Sequence, residues 1–379
     1  MKQANPLKKT FSINIFFFLI ISIFFLLLTN IYYSYSDSLI YGGSDGRYYI
    51  KISESFPNIA NDIEYIKGER FFFPYLIGGI SKFFSLETFL TYRIFVIFLC
   101  GLILFFLHQC LDKIKISNLY TLISLSFFIF NPYIFRFYLA IPTIINDLFF
   151  MFSAVLIVHG FINGNKKNIY IGFVISILSR QNGIFFLISF LISKFFFKEK
   201  SLFTYKDLFY FIFIFFILTS LNTNYAINAN SLNQVSASEL YIITLFGIFF
   251  GNYSFAQMAN FIFFPFLSFF PLIVFYYFQK RNLKKFNLNE LTFVTLFTIV
   301  LIFVIAFISG PVITGKNIIR LMNLGYPMLV ILLQYYLKKT SEISCSFFSI
   351  TIFFFIIWSF HPTFSNIKIF KYFKFLFTF

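Results

Sequence analysis

Long apolar runs separated by short polar breaks fill this sequence, so each run can be measured against the thickness of a bilayer. A helix rises about 1.5 Å per residue, and a membrane span needs roughly 17–25 apolar residues. Runs of this kind occupy 11–31, 90–111, 119–135, 146–162, 253–278, 291–310, 321–337 and 345–360, with a weaker one at 207–221. The run 169–197 is interrupted by Ser179-Arg180-Gln181-Asn182-Gly183, which predicts two half-length helices meeting at a polar knuckle. Irregular backbone at that depth is tolerated only where protein or a water-filled cavity covers it. Segments 71–84 and 240–250 are too short to span and are expected to lie along the outer interface or to dip in and return. The first run follows Lys8-Lys9, and Asn30-Ile31-Tyr32-Tyr33 after it offers no small-residue cleavage site, which predicts an uncleaved first helix. The expected fold is an all-α polytopic membrane protein of about 9–11 transmembrane helices with re-entrant or interfacial segments. Residues 1–379 read as a single transmembrane domain, with a first outer loop over 32–89 and no soluble domain.

Composition strengthens this picture. The chain is 59% hydrophobic and 12% charged, more apolar surface than a soluble core of 379 residues could hide. The 68 phenylalanines, alongside abundant Ile, Lys, Asn and Tyr, fit AT-rich codon usage at lipid-facing positions where apolar residues interchange freely. A net charge of +16 would point to nucleic acid in a soluble protein, but most lysines here fall in short loops between apolar runs. Nucleic acid is therefore excluded as a partner. Cys100, Cys110 and Cys345 have no paired spacing, and His108, His159 and His361 are scattered, so neither a disulfide frame nor a histidine metal cluster is visible.

Lysine orients the chain. Lys2, Lys8 and Lys9, then Lys113 and Lys115, Lys166 and Lys167, Lys194 to Lys206, Lys280 to Lys285, and Lys338-Lys339 fall in alternate loops that can share the cytoplasmic side. Segments 41–74, 132–145, 222–239 and 310–320 and the Arg180 knuckle then share the other side. Lys368, Lys371 and Lys374 break the alternation, so either the last span is miscounted or the tail is an amphipathic surface segment. Arginine runs against the trend. Of seven arginines, Arg47, Arg70, Arg93, Arg136, Arg180 and Arg320 lie on or near the outer face, and only Arg281 lies inside. The guanidinium fork grips phosphate or carboxylate at two points, which lysine cannot do. Six outer arginines point to an anionic ligand, although pairing with Glu54, Glu64, Glu69 or Glu87 would also account for each one.

Four polar strings could carry chemistry. The first runs Tyr41-Gly42-Gly43-Ser44-Asp45-Gly46-Arg47-Tyr48-Tyr49 and is followed by Glu69-Arg70-Phe71-Phe72-Phe73-Pro74. Glycines around Asp45 allow a tight turn and close approach of a substrate, and the tyrosines offer flat faces for a sugar. Asp45 could act as a general base, or it could merely shape the turn. The second is Asn146-Asp147, which opens a span after Pro142. Asp147 could cap that helix, or pair with Asp45 to share a divalent cation or divide acid and base roles. The third is the Arg180 knuckle, whose polar residues need partners inside a membrane. The fourth is Gly315-Lys316-Asn317-Ile318-Ile319-Arg320, where Lys316 and Arg320 share a helix face suited to phosphate or to headgroup anchoring.

In order and placement these strings resemble the GT-C superfamily of polytopic glycosyltransferases, especially its bacterial members. The Asp45-Gly-Arg-Tyr-Tyr and Arg70-Phe-Phe-Phe-Pro74 strings are similar to that family's first outer loop. The Ser179-Arg180-Gln181-Asn182-Gly183 string is similar to its mid-chain element, and Gly315 through Pro327 to its last outer loop. The resemblance implies transfer of a sugar from a polyprenyl-phosphate carrier to a glycan, lipid or protein acceptor on the outer face of the bacterial inner membrane. It implies Asp45 as the catalytic carboxylate that acts as the base or orients the acceptor, with Asp147 assisting. It implies that Arg180, Lys316 and Arg320 bind the lipid phosphate; Arg47, Tyr48, Arg70, Gln181 and Asn317 complete the expected substrate-binding set, with no metal ligands assigned. Many members carry a soluble C-terminal domain, which is not expected in residues 1–379, and this chain departs from the family in carrying Ser44, not a second acid, before Asp45. A lipid-linked oligosaccharide flippase, an O-antigen-type polymerase and a non-enzymatic assembly subunit remain as other readings of the same spans.

Overall fold

The computed structural model describes residues 43–114, 117–229, 245–279, 287–313, 317–337 and 349–354, with positions 242, 283, 285 and 347. The predicted span 11–31, most of 345–360, Arg281, Lys316 and the tail lysines lie outside them. Among the described residues the regular elements are helices, as expected where backbone polar groups must be satisfied within each segment. Four helices are long and apolar enough to cross a membrane: Thr88–Ile114, Pro142–Asn163, Tyr205–Ala229 and Glu290–Ile308. A fifth crossing is available if Phe255–Phe263 and Ser268–Phe278 form one span bent by 51°. Pro265 and Pro271 lie inside that bent helix, and each removes a backbone donor and crowds the preceding turn.

Several expected spans are shorter than their apolar runs. The run 119–135 gives only Asn118–Ile129, because Asn131-Pro132 cannot continue the helix. The run 321–337 is divided into Ile318–Asn323 and Tyr326–Tyr335, with Gly325 at the break and Pro327 in the first turn of the second piece. The run 169–197 does form two half-length helices, Lys166–Ser179 and Ile184–Phe197, joined by a 3-10 turn at Gln181–Gly183.

The expected loop around Asp45 is largely helix. Gly43–Ser55 is a 13-residue helix with Asp45 in its first turn, where a carboxylate favours the helix dipole. Asp45, Tyr49, Ile52 and Ser53 form its buried face, while Arg47, Lys51 and Glu54 point away. Ser53 fixes this helix in place. Its hydroxyl donates to the Pro74 carbonyl at 2.6 Å and pairs with the Tyr92 hydroxyl at 2.7 Å. Gly78 lies directly against the Ser53 backbone, so any side chain there would force the Phe72–Phe83 helix off this one.

The tightest packing is a helical hairpin. Ile145–Asn163 ends at Gly164 in the left-handed region (φ 65°), and the Asn165 side chain accepts from Lys167 N to start Lys166–Ser179. Small residues let the two helices approach. A Cβ on Gly160 would come 2.5 Å from Ile169 Cγ1, and one on Gly172 would come 2.7 Å from Ile157 Cγ1. Each step back along one helix is matched by a step forward along the other. That register carries Asp147, in the first turn of one helix, to Arg180, just past the end of its partner. Gly172→Val is expected to lower stability by about 1–3 kcal/mol through overpacking. Thermal unfolding of the purified full chain in detergent checks this, with Gly101→Val as a control, since nothing lies within 4 Å of a Cβ there.

The bundle has two chemically different ends. At one end Lys166 Nζ pairs with Asp207 at 2.6 Å, Tyr170 donates to Asp207 at 2.8 Å, and Glu290 accepts from Leu202 N at 2.6 Å. The opposite ends of the same helices meet at Asp147, Arg180, Asn222 and Ser309. Lysines gather at the first end and buried arginines at the second.

Candidate functional site

Three separate local structures deliver cations to the second end. The Tyr65–Gly68 turn packs against the Tyr205–Ala229 helix. A Cβ on Gly68 would be 2.8 Å from Ala226 Cα, Ile63 N donates to the Ala229 carbonyl at 3.1 Å, and the Phe71 ring stacks on Tyr225 at 3.9 Å. That docking presents Lys67, Glu69 and Arg70. The Arg70 carbonyl accepts from Asn146 Nδ2 at 3.0 Å, which ties it to the residue beside Asp147. Arg180 comes from the hairpin. Arg320 comes from Ile318–Asn323, whose end is anchored by Asn323: its Nδ2 donates to the Tyr133 carbonyl at 3.0 Å and its Oδ1 accepts from Ser268 at 2.6 Å.

The charged groups alternate in sign. Lys67 Nζ lies 2.5 Å from Asp45 Oδ1, and Arg320 Nη2 donates to Asp45 Oδ2 at 2.8 Å. Arg320 Nε faces Asp147 Oδ2 at 2.9 Å, and Arg180 Nη1 donates to Asp147 Oδ1. The Arg320–Asp147 contact is an ion pair in which the N–H is not aimed along the contact, so neither atom makes a directed hydrogen bond. Beside this row, Arg70 Nε donates to Gln181 Oε1 at 2.9 Å, and Gln181 Nε2 donates to Glu69 Oε2 at 2.8 Å. Burial alone would push the Asp45 carboxyl up; Arg320 and Lys67 outweigh it and hold the group well below the usual carboxylate range.

These side chains surround a cavity of about 300 Å³ lined by Asp45, Lys67, Arg70, Arg180 and Arg320, with Asn182, Ser309 and Asn317 among its polar walls. A second chamber of about 350 Å³ shares Ile66, Arg70, Asn182, Ile305 and Ser309 with it and is walled largely by Ile177, Ile184, Phe185, Phe215 and Leu245. The space is thus cationic on one side and apolar on the other. Four cations line the first cavity against one lining carboxylate, Asp45, with Asp147 behind it. Even with Glu69, one amide away, the cluster is short of negative charge. Buried positive charge without a counter-charge is costly, so the site is built to accept an anion.

No family model, curated protein or solved structure matches this chain.

The structure brings together Asp45, Asp147, Arg70, Arg180, Gln181, Asn317 and Arg320 of the residues singled out in the sequence. It does not bring Arg47 or Tyr48 to the cavity. Arg47 is exposed on the outward face of its helix, and Tyr48 packs against the Tyr49, Ile52 and Phe71 cluster. Lys316 lies outside the described residues. Among the other arginines, Arg93 is exposed over the Phe89 ring and Arg136 is buried away from the cavity lining. Arg180 and Arg320 pair with Asp45 and Asp147, not with the outer glutamates.

Asp45 and Asp147 do not face each other as a carboxylate dyad, because Arg320 stands between them. Each of their four oxygens already meets a cationic nitrogen, and no three His, Cys, Asp or Glu side chains converge among the described residues. That donor set does not fit a divalent cation. The four polar strings include neither Lys67 nor Ser309 of the cavity lining, and give Glu69 only as the neighbour of Arg70. Lys67 carried one available signal, its three-residue spacing from Arg70 on a helical turn. Glu69 is visible only as an acid next to Arg70, and nothing in the sequence announces its link through Gln181.

Proposed function

We propose that this protein is a glycosyltransferase with a GT-C-like architecture that takes a sugar from a polyprenyl-phosphate carrier and passes it to a glycan, lipid or protein acceptor. The site would face the periplasm or exterior of a bacterial inner membrane, with the N-terminus in the cytoplasm. The observation that carries this reading is the pair of adjoining chambers. A phosphate matches the excess of guanidinium and ammonium groups around the first, and a hydrocarbon tail matches the apolar walls of the second. Arg70, Arg180 and Arg320 would hold the phosphate and stabilise the charge that develops as it leaves. Asp45, the carboxylate lining that cavity, is the group available to orient or deprotonate an acceptor hydroxyl. The buried arginines and the two adjoining chambers they line lie at one end of the bundle, which favours chemistry at one membrane face over a carrier that must serve both.

Photolabelling tests the ligand class. A polyprenyl phosphate with a diazirine in its first isoprene units is expected to label the segments carrying Phe185 and Phe215. Unlabelled polyprenyl phosphate should compete and the uncharged prenol should not. Labelling spread evenly over the lipid-facing helices, or equal competition by the prenol, would contradict the reading.

A further inference from the structure

We propose that Lys67 is a phosphate-binding residue and that, in the free protein, the Asp45 carboxylate occupies the cations that the ligand's phosphate will use. The inference rests on the reading of the cavity as a phosphate site and adds to it a resident competitor.

The two carboxylates are placed differently. Asp147 lies behind the cavity wall, between Arg180 and Arg320, and its side chain is 2% exposed. Asp45 lines the cavity itself, at 2.5 Å from Lys67 and 2.8 Å from Arg320. An anion entering that space therefore meets a carboxylate already seated on two of the four lining cations. The two cations differ in how firmly they are committed. Arg320 spans both carboxylates through a rigid fork, and its helix is anchored through Asn323. Lys67 is a point charge on a flexible four-carbon stem, its side chain is 15% exposed, and it sits on a one-turn helix. A phosphodiester donor brings two non-bridging oxygens and a negative charge of its own, and the flexible Lys67 ammonium can turn from Asp45 to them while Arg320 stays in place. Asp45 then loses one of its two cationic partners. The same event fills the anion site and makes the carboxylate a better proton acceptor, so the base is released only when the donor is present.

Removing a competitor should tighten binding. The purified full chain in detergent is titrated with inorganic phosphate and with farnesyl phosphate by calorimetry, using wild type, Asp45→Asn, Asp45→Ser and Lys67→Met. Both Asp45 variants are expected to bind each probe more tightly than wild type, by about tenfold for the loss of one charge-assisted competitor. Lys67→Met should weaken binding by about the same factor. Equal or weaker binding by both Asp45 variants, or unchanged binding by Lys67→Met, would overturn the proposal. If wild type binds and the Asp45 variants fail to gain affinity, the competitor is wrong while the phosphate site stands. If wild type and all three variants bind neither probe, the phosphate site fails and the proposal falls with it.

Discussion

Arg320→Met is expected to destabilise the protein by about 3–5 kcal/mol, the largest effect of any single replacement at this site. One guanidinium bridges two carboxylates, with Nη2 on Asp45 at 2.8 Å and Nε on Asp147 at 2.9 Å. Its removal leaves Asp147 with Arg180 alone and Asp45 with Lys67 alone, both in a poorly hydrated pocket. A buried carboxylate that loses a counter-charge must be protonated or must rearrange its surroundings, and either response is costly. Methionine keeps the unbranched apolar stem and removes the guanidinium, so the loss reports charge more than packing. Arg93→Met supplies the comparison, because Arg93 is exposed over an aromatic ring and such contacts contribute only about 0.5–1 kcal/mol. Denaturant titration of both variants in the same detergent measures the difference. A loss for Arg320→Met no larger than that for Arg93→Met would mean that the carboxylates are not held as described.

Asp45→Asn is expected to slow sugar transfer by a factor on the order of 10²–10⁴, the usual contribution of a positioned acid–base group. The amide keeps the size and an acceptor oxygen for Arg320, so the helix should dock as before through Ser53, Tyr92 and Gly78. What is lost is the charge and the capacity to take a proton. Together with tighter phosphate binding, this gives Asp45→Asn an unusual profile: higher affinity for the anion and a slower turnover. A residue that only held the fold together would lose both. Stability measurements on the same samples separate the two cases.

The features that could be read from the sequence were those set by long-range composition. Lengths of apolar runs predicted the helices Thr88–Ile114, Ile145–Asn163 and Glu290–Ile308 to within a few residues, because a membrane span leaves little freedom in length. The interruption at Arg180 was equally plain, since four polar or flexible residues between apolar halves have few other uses. The apolar runs around Pro132 and Gly325 extend beyond their helices, because apolarity alone does not register where a helix is stopped. The Asp45 segment is predicted by its glycines to be a loop. Its 13-residue helix was signalled by Asp45, Tyr49 and Ile52 recurring on one face, a weaker pattern than three glycines in five residues.

At the site, charge rarity was informative and pairing was not. Arginine set against the lysine trend pointed to Arg70, Arg180 and Arg320, which do converge, and equally to Arg47, which does not. The separation is one of helix face: Arg47 is two residues from Asp45, on the other side of the same helix. The contact between Asp147 and Arg180 follows from the hairpin register through Gly160 and Gly172, which can be worked out once the turn at Gly164 is known. The bridge made by Arg320 had no such local signal, since it joins elements 275 residues apart. Lys67 lies in the 41–74 segment expected on the outer side, and nothing but its spacing from Arg70 marks it among the lysines.

The most direct test of the central claim is a transfer assay in proteoliposomes, with radiolabelled polyprenyl-phosphate sugars as donors and wild type and Asp45→Asn in parallel. Movement of label from the carrier to an acceptor with wild type, and its loss with Asp45→Asn, is the predicted result. Labelled carrier crossing the bilayer intact, with no transfer by wild type, would contradict the account and identify the protein as a transporter of the same lipid.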